Sequence, residues 1–246
     1  MKRTTEQLAI MRRAGRVVAE MHDRIRAAIR PGVTTLELDH IGRQVLADRG
    51  ATSNFLDYHG YPAVICASPN AVIVHGIPDG TVLQEGDIVS IDCGAIVDGW
   101  HGDAAFTAPV GEVDADARQL IEVTEASLRA AIDQLRDGRR LGDVGHAVQS
   151  MAEAAGYSVV REYSGHGIGR AMHEAPSVYN HGRRGTGMRL RSGMTLAVEP
   201  MVNAGGSATV TLDDGWTVVT ADGSLSAHVE HTVALTDDGP TILTLP

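Results

Sequence analysis

The sequence predicts an α+β fold made of two similar halves, each a pair of helices followed by antiparallel strands. Three observations carry this: an acidic β-hairpin turning at Asp98-Gly99, two amphipathic helical pairs that each break at a glycine, and an internal offset of about 106 residues.

Thr4 with Gln7 forms a capping box, and Leu8, Met11, Ala14, Val18, Met21, Ile25 and Ile29 follow at three- and four-residue steps, the spacing of one buried helical face. Pro31-Gly32 closes this helix, and a second is expected over 35–49, stopped by Gly50. From Phe55 to Gly76 the chain reads as loop and short strand. Residues 86–103 then give an apolar, β-branched run, the turn dipeptide Asp98-Gly99, which suits the positive φ angles of a two-residue type I′ turn, and a returning strand. That register sets Gly94 opposite Asp103, and the two-residue alternation of a strand puts Asp92, Gly94 and Asp103 on one side. The two carboxylates would lie roughly 7 Å apart at the backbone. Such a pair repels unless a cation stands between its oxygens, and Gly94 is expected to clear room for one.

The plan then recurs. A helix is expected over 116–135, broken by Asp137-Gly138, with another running to Ala155 and stopping at Gly156. An offset of 106 lays Arg30 on Arg136, Gly32 on Gly138, His40 on His146 and Gly50 on Gly156, and an offset of 107 lays 86–92 on 193–199, each run ending in an acid. No linker interrupts the chain, so one domain over 1–246 is expected, with halves of about 1–110 and 111–246 facing each other.

Composition narrows the function. A 246-residue chain that is 43% hydrophobic but 4% aromatic supports a large, mainly aliphatic core. A net charge of −10 argues against nonspecific nucleic-acid binding. Cys66 and Cys93 make no disulfide framework, which points to a reducing compartment. The opening residues lack a signal-peptide core, and no window is apolar for long enough to span a bilayer, so a soluble, cytoplasmic protein without a membrane partner is expected.

The second half adds further site chemistry. His166 lies between Gly165 and Gly167, where the backbone is free to approach a ligand, and His173 follows. Glu199 ends an apolar strand beside Pro200. Glu230 interrupts the apolar set of a strand expected over 227–235, with His228 on its face and His231 on the other. Asp92, Asp103, Glu199, Glu230 and His166 are hard oxygen donors with one nitrogen, the set that suits a pair of divalent ions. Two such ions about 3.5–4 Å apart can share a hydroxide and polarise a carbonyl. No cysteine stands among these donors, which argues against a structural zinc.

Five stretches then carry a resemblance: 70–78 around His75, 91–103, 165–176 from Gly165-His-Gly to His173-Glu-Ala-Pro, 198–203 and 226–232. Together, and in this order, they look like the type I bacterial methionine aminopeptidases. The resemblance covers essentially the whole chain. It implies the pitta-bread fold, a central curved antiparallel β-sheet backed by helices, and removal of the initiator methionine from nascent polypeptides. Carried over residue by residue, it makes Asp92, Asp103, His166, Glu199 and Glu230 the ligands of two ions (cobalt, iron, manganese or zinc), with Asp103 and Glu230 bridging. It makes His173 stabilise the tetrahedral intermediate, His75 position the scissile amide, and Glu199 shuttle a proton. The methionine pocket would be Phe55, Tyr58, Tyr61, Cys66, Met172 and Trp216, apolar and polarizable as a thioether favours. The chain departs from the family at Met172, usually Phe, and at Phe55, often Cys. It also lacks the extensions of some relatives and the helical insertion of type II enzymes.

An X-Pro aminopeptidase or prolidase would share fold and ligands but ordinarily carries an additional N-terminal domain. A non-catalytic peptide-binding homologue would be expected to have lost ligands, and all five stand here. Arg183, Arg184, Arg189 and Arg191 form the densest basic group, read as a solvated loop or as a face toward the ribosome. A monomer is expected.

Overall fold

Residues 2–246 are described by the structure, a computed structural model. Helix α1 spans Thr5–Ala28 behind the Thr4/Gln7 capping box, and α2 spans Thr35–Arg49, ending on Gly50 in the left-handed region. In the second half α3 spans Ala115–Ile132 and α4 Leu141–Ala154. The end of α3 falls short of Leu135, because at Gln134 and Leu135 the chain tightens into three-residue bonds to Ala131 and Ile132 while keeping Leu135 fully buried.

The hairpin forms in the register read from sequence. Strands Ile88–Val97 and Trp100–Pro109 pair from Ile88 with Pro109 to Val97 with Trp100, and Asp98 (φ 50°) and Gly99 (φ 71°) make the turn. Ile65–Pro69 and Thr52–Ser53 also pair with Ile88–Val97. The second half supplies a five-stranded sheet in the order Gly239–Ile242, His231–Thr236, Thr195–Val198, Ser164–Gly167, Glu174–Tyr179, and two three-stranded sheets complete the layer. Every strand pairing among the described residues is antiparallel.

The two halves use the same local devices. Gly32 donates to the Leu83 carbonyl and Gly138 to that of Leu190, while Thr34 bridges Val82 and Arg140 bridges Arg189. Gly86 (φ 92°) and Gly193 (φ 94°) turn the chain into the strands that deliver Asp92 and Glu199. Each helical pair covers its own aliphatic cluster, Met21, Ile25, Leu38 and Ile91 in the first, Leu120, Leu135, Val144 and Leu196 in the second. No helix among the described residues is long and apolar enough to cross a membrane.

The expected strand over 227–235 is divided. Ser226–His228 pairs with Met201–Asn203, His231–Thr236 pairs with Thr195–Val198, and Val229-Glu230 lies between. The reason is that Glu230 bonds across the halves instead: its N–H donates to the Ala105 carbonyl (2.9 Å), and the Ala105 N–H returns to its own (3.3 Å).

Helix α1 is pressed onto the hairpin at Gly102, where a β-carbon would stand 2.8 Å from the Gly15 nitrogen. Backbone cannot yield as a flexible side chain would, so Gly102→Ala is expected to cost about 1–3 kcal/mol in urea unfolding. An unchanged midpoint would mean that the helix lifts freely from the hairpin.

Candidate metal centre and substrate cavity

The hairpin and the second half deliver their acids to one cavity of about 140 Å³, bounded by Phe55, Tyr58, Tyr61, Cys66, His75, Asp92, Asp103, His166, Met172, His173, Glu199, Trp216 and Glu230. Every residue given a ligand, catalytic or pocket role in the sequence analysis therefore lines this one space, whereas His228 and the four loop arginines do not. Asp103, His166 and Glu230, all buried, bring ligand atoms within 4.8 Å of one another. Glu199 joins them through Oε1, 3.6 Å from His166 Nε2. Asp92 stands on the strand beside Asp103, its Cα register partner being Ala105.

Four carboxylates at one point are electrostatically costly. Burial raises Asp103, Glu199 and Glu230 well above the ordinary carboxylate range, and repulsion from neighbouring acids adds to it. Burial pushes Asp92 up to about 7, against the opposing hydrogen bond from the Cys93 backbone. Asp92 Oδ1, Asp103 Oδ1 and Glu230 Oε1 are buried with no hydrogen-bond partner in the protein. Unpartnered buried oxygens of this kind need a proton or a cation, and burial holds His166 neutral, with a pKa down at about 4. The donor set fits divalent metal: hard oxygens plus one unprotonated imidazole.

The wall is pinned from outside. Thr232 Oγ1 accepts from the Asp103 N–H (3.0 Å) and donates to the Asp103 carbonyl (2.8 Å). His75 sits in the left-handed region (φ 60°), and the next residue fixes it there: Gly76 donates to Ser68 Oγ and accepts from the Ala67 N–H. A non-glycine residue held at positive φ is uncommon and costs backbone strain that the surrounding bonds must hold. His173 Nδ1 is bonded to the Tyr58 hydroxyl (2.8 Å), and the His166 and His173 rings pack at 4.3 Å.

The apolar end is a cluster of Phe55, Tyr61, Ala63, Cys66 and Met172, edged by Tyr58, Ile77 and Trp216. Tyr61 turns its hydroxyl away to the Ile65 and Gly76 carbonyls, both at 3.0 Å, and burial keeps the Cys66 thiol protonated. The cavity as a whole, carboxylates and apolar end together, is about 140 Å³, so the apolar end takes only a small side chain.

Two glycine readings are corrected. The space beside Gly94 is filled by Asn54, whose amide donates to the Gly102 carbonyl, so this glycine admits a side chain and not a cation. Gly165 and Gly167 are glycine because the Ala197 and Ala175 carbonyls approach them, which is strand packing and not ligand access. Sequence reasoning also missed Arg3 and Glu174. Buried Arg3 pairs with Glu174 and bonds the Ile168 carbonyl, while Glu174 Oε1 accepts from the Arg170 and Ala171 N–H groups, tying down the loop that carries His173. The acid next to His173 was the available signal.

Helical pairs backing antiparallel strands, with acids from both halves converging beside an apolar slot, make a candidate divalent-metal centre open to a small apolar group. The profile of metallopeptidase family M24 matches residues 9–237, and the chain belongs to that family. Its similar relatives there are methionine aminopeptidases: methionine aminopeptidase 1 of Mycobacterium tuberculosis is 52% identical over 99% of this chain and 94% of that protein, and methionine aminopeptidase 1 of Bacillus subtilis is 48% identical over 98% of both. The crystal structure of methionine aminopeptidase from Rickettsia prowazekii superposes with a TM-score of 0.98 at 46% identity, covering 100% of this chain and 99% of that one. The fold is accordingly the pitta-bread fold of that family.

Proposed function

We propose that the chain removes the N-terminal methionine from nascent polypeptides in the cytoplasm, hydrolysing the first peptide bond with two divalent ions. The observation that carries this is the single cavity with carboxylates at one end and a small apolar slot at the other. Asp92, Asp103, His166, Glu199 and Glu230 would hold the ions. When bound, such ions lower the pKa of water and polarise a carbonyl; cobalt, iron, manganese and zinc all suit the donors. Around them the chain's own groups divide the work. The slot seats the thioether against Tyr58, Tyr61 and Trp216, and His75 positions the scissile amide. His173 donates to the developing oxyanion. Glu199 takes a proton from the nucleophile and returns it to the leaving amine.

A panel of Met-Gly-Met-type and X-Pro peptides decides the reading, with elemental analysis of protein purified without added metal. Turnover of the first set is expected; turnover only of X-Pro peptides overturns it.

Docking at the ribosome belongs to the same proposal. Arg183, Arg184, Arg189 and Arg191 are exposed, as are Arg136, Arg139 and Arg140 on the segment bridged to theirs, and none of the seven is ion-paired among the described residues. Co-sedimentation with ribosomes at low salt, lost near about 0.2 M salt or on reversing the four loop arginines to Glu, is the expected result. Absence of binding at low salt defeats it.

A further inference from the structure

His228 is buried beside the site and absent from the roles given above. It ends the strand Ser226–His228, and the acidic hairpin fixes its backbone: the His228 N–H donates to Thr107 Oγ1 (3.0 Å) and Ser90 Oγ (3.2 Å), and its carbonyl accepts from Thr107 Oγ1 (2.8 Å). The two hydroxyls are themselves bonded at 2.8 Å. The side chain therefore leaves a rigid point with 2% of its surface exposed.

Its Nε2 is buried and has no hydrogen-bond partner in the protein, yet it stands 3.7 Å from Glu199 Oε2. The other oxygen of the same carboxylate, Oε1, faces His166 Nε2 at 3.6 Å. Two imidazoles thus divide one carboxylate, one oxygen each. A buried imidazole nitrogen without a partner is costly, and a neutral ring that donates through Nε2 would satisfy both itself and Oε2. The separation of 3.7 Å is longer than a hydrogen bond, as catalytic contacts often are before the working complex forms, and a small rotation of Glu199 would close it.

We propose that His228 is a positioning residue: its Nε2–H holds Oε2 of Glu199, fixing the rotamer from which that carboxylate presents Oε1 to the metal-binding side and passes its proton. The inference rests on the proposed peptidase reading, since it takes Glu199 as ligand and proton carrier. Partners that orient a ligating group are worth about 10–100-fold in metal affinity or activity.

The test uses His228→Gln and His228→Leu in the otherwise intact chain, with manganese binding to metal-free protein followed by calorimetry and Met-Gly-Met hydrolysis by manganese-loaded protein followed by initial rates. His228→Leu is expected to bind manganese more weakly or to lose kcat by about 10–100-fold with KM within about twofold, and His228→Gln, which keeps a donor, to stay within about fivefold of the parent. In the native protein, nitrogen-resolved NMR of the imidazole should find a slowly exchanging Nε2-bound hydrogen that disappears in Glu199→Ala. Parent-like metal affinity and kcat in His228→Leu, a His228→Gln as impaired as His228→Leu, or an Nε2 that carries no hydrogen would each overturn the proposal. Should His228→Leu fail to fold, the glutamine variant and the NMR signal still decide. Should the parent not cleave methionyl peptides, calorimetry and NMR read the contact on their own, so the two failures are told apart.

Discussion

Asp103→Asn protein is expected to lose peptide hydrolysis by about 10³-fold or more and yet, stripped of metal, to unfold at a higher temperature than the parent. The two effects have one cause. Asp103 is fully enclosed, its Oδ1 has no partner, and Asp92 and Glu199 repel its charge. In the proposed centre that charge would hold the ions; without them the carboxyl must either stay a buried anion or take up a proton, and both are costly beside three other acids. Asparagine keeps the shape and the backbone bonds to Thr232 while removing the charge. Relief of about 1–3 kcal/mol corresponds to a rise of a few degrees in a chain of this size.

The same argument fixes a pH dependence. Asp92 has its folded pKa raised, from an ordinary 3.8 to about 7. A group whose folded pKa lies above its unfolded one stabilises fully below the unfolded value and ceases to do so as pH rises through the folded value. Metal-free protein should therefore lose stability between about pH 4 and pH 7, by at most roughly 4 kcal/mol from this group. His22 works the other way: buried and bonded to the Ala104 carbonyl, with a pKa lowered to about 3, it destabilises the fold as pH falls below about 6.5. The informative readout is thus the difference in melting temperature between loaded and metal-free protein, which should widen from pH 5 to pH 7. A constant difference, or a metal-free Asp103→Asn that melts below the parent, would show that the four acids are not held as a repelling cluster.

What could be read from the sequence was whatever a local period or a turn dipeptide encodes. Asp98-Gly99 admits one register, and that register alone sets Asp103 opposite Gly94 and on the face of Asp92. The ligand types followed from acids interrupting apolar runs and a histidine set among glycines, whereas the apolar slot was legible only through the resemblance of whole motifs to a known family. Contacts between groups far apart along the chain could not be read this way. Glu230 looked like one residue of a continuous strand because 227–235 keeps its apolar pattern; the break arises from its bonds to Ala105, more than a hundred residues away. Gly94, Gly165 and Gly167 were legible as places of close approach, but what approaches is Asn54 and neighbouring carbonyls, which no local pattern reveals. Arg3 is tied to Glu174 and Ile168 across most of the chain for the same reason.

His173→Ala is expected to lower kcat by about 10²–10³-fold while leaving KM within a few-fold and metal content unchanged. Burial, with repulsion from His59, lowers the pKa of this ring, so it is neutral at working pH and carries one hydrogen. If the Tyr58 hydroxyl donates to Nδ1, at 2.8 Å, the hydrogen resides on Nε2, and the ring offers a donor to the cavity it lines. The Glu174–Arg3 tie holds the loop that carries the ring, so in the proposed oxyanion role the donor would already stand in place. Tyr58→Phe removes the group that selects the tautomer but leaves the ring, and a smaller loss of about tenfold follows. Steady-state rates on Met-Gly-Met, with elemental analysis of each variant, separate this role from metal binding. If His173→Ala raised KM alone, the ring would be a binding contact; if it shed metal, His173 would belong with the ligands and the oxyanion role would be lost.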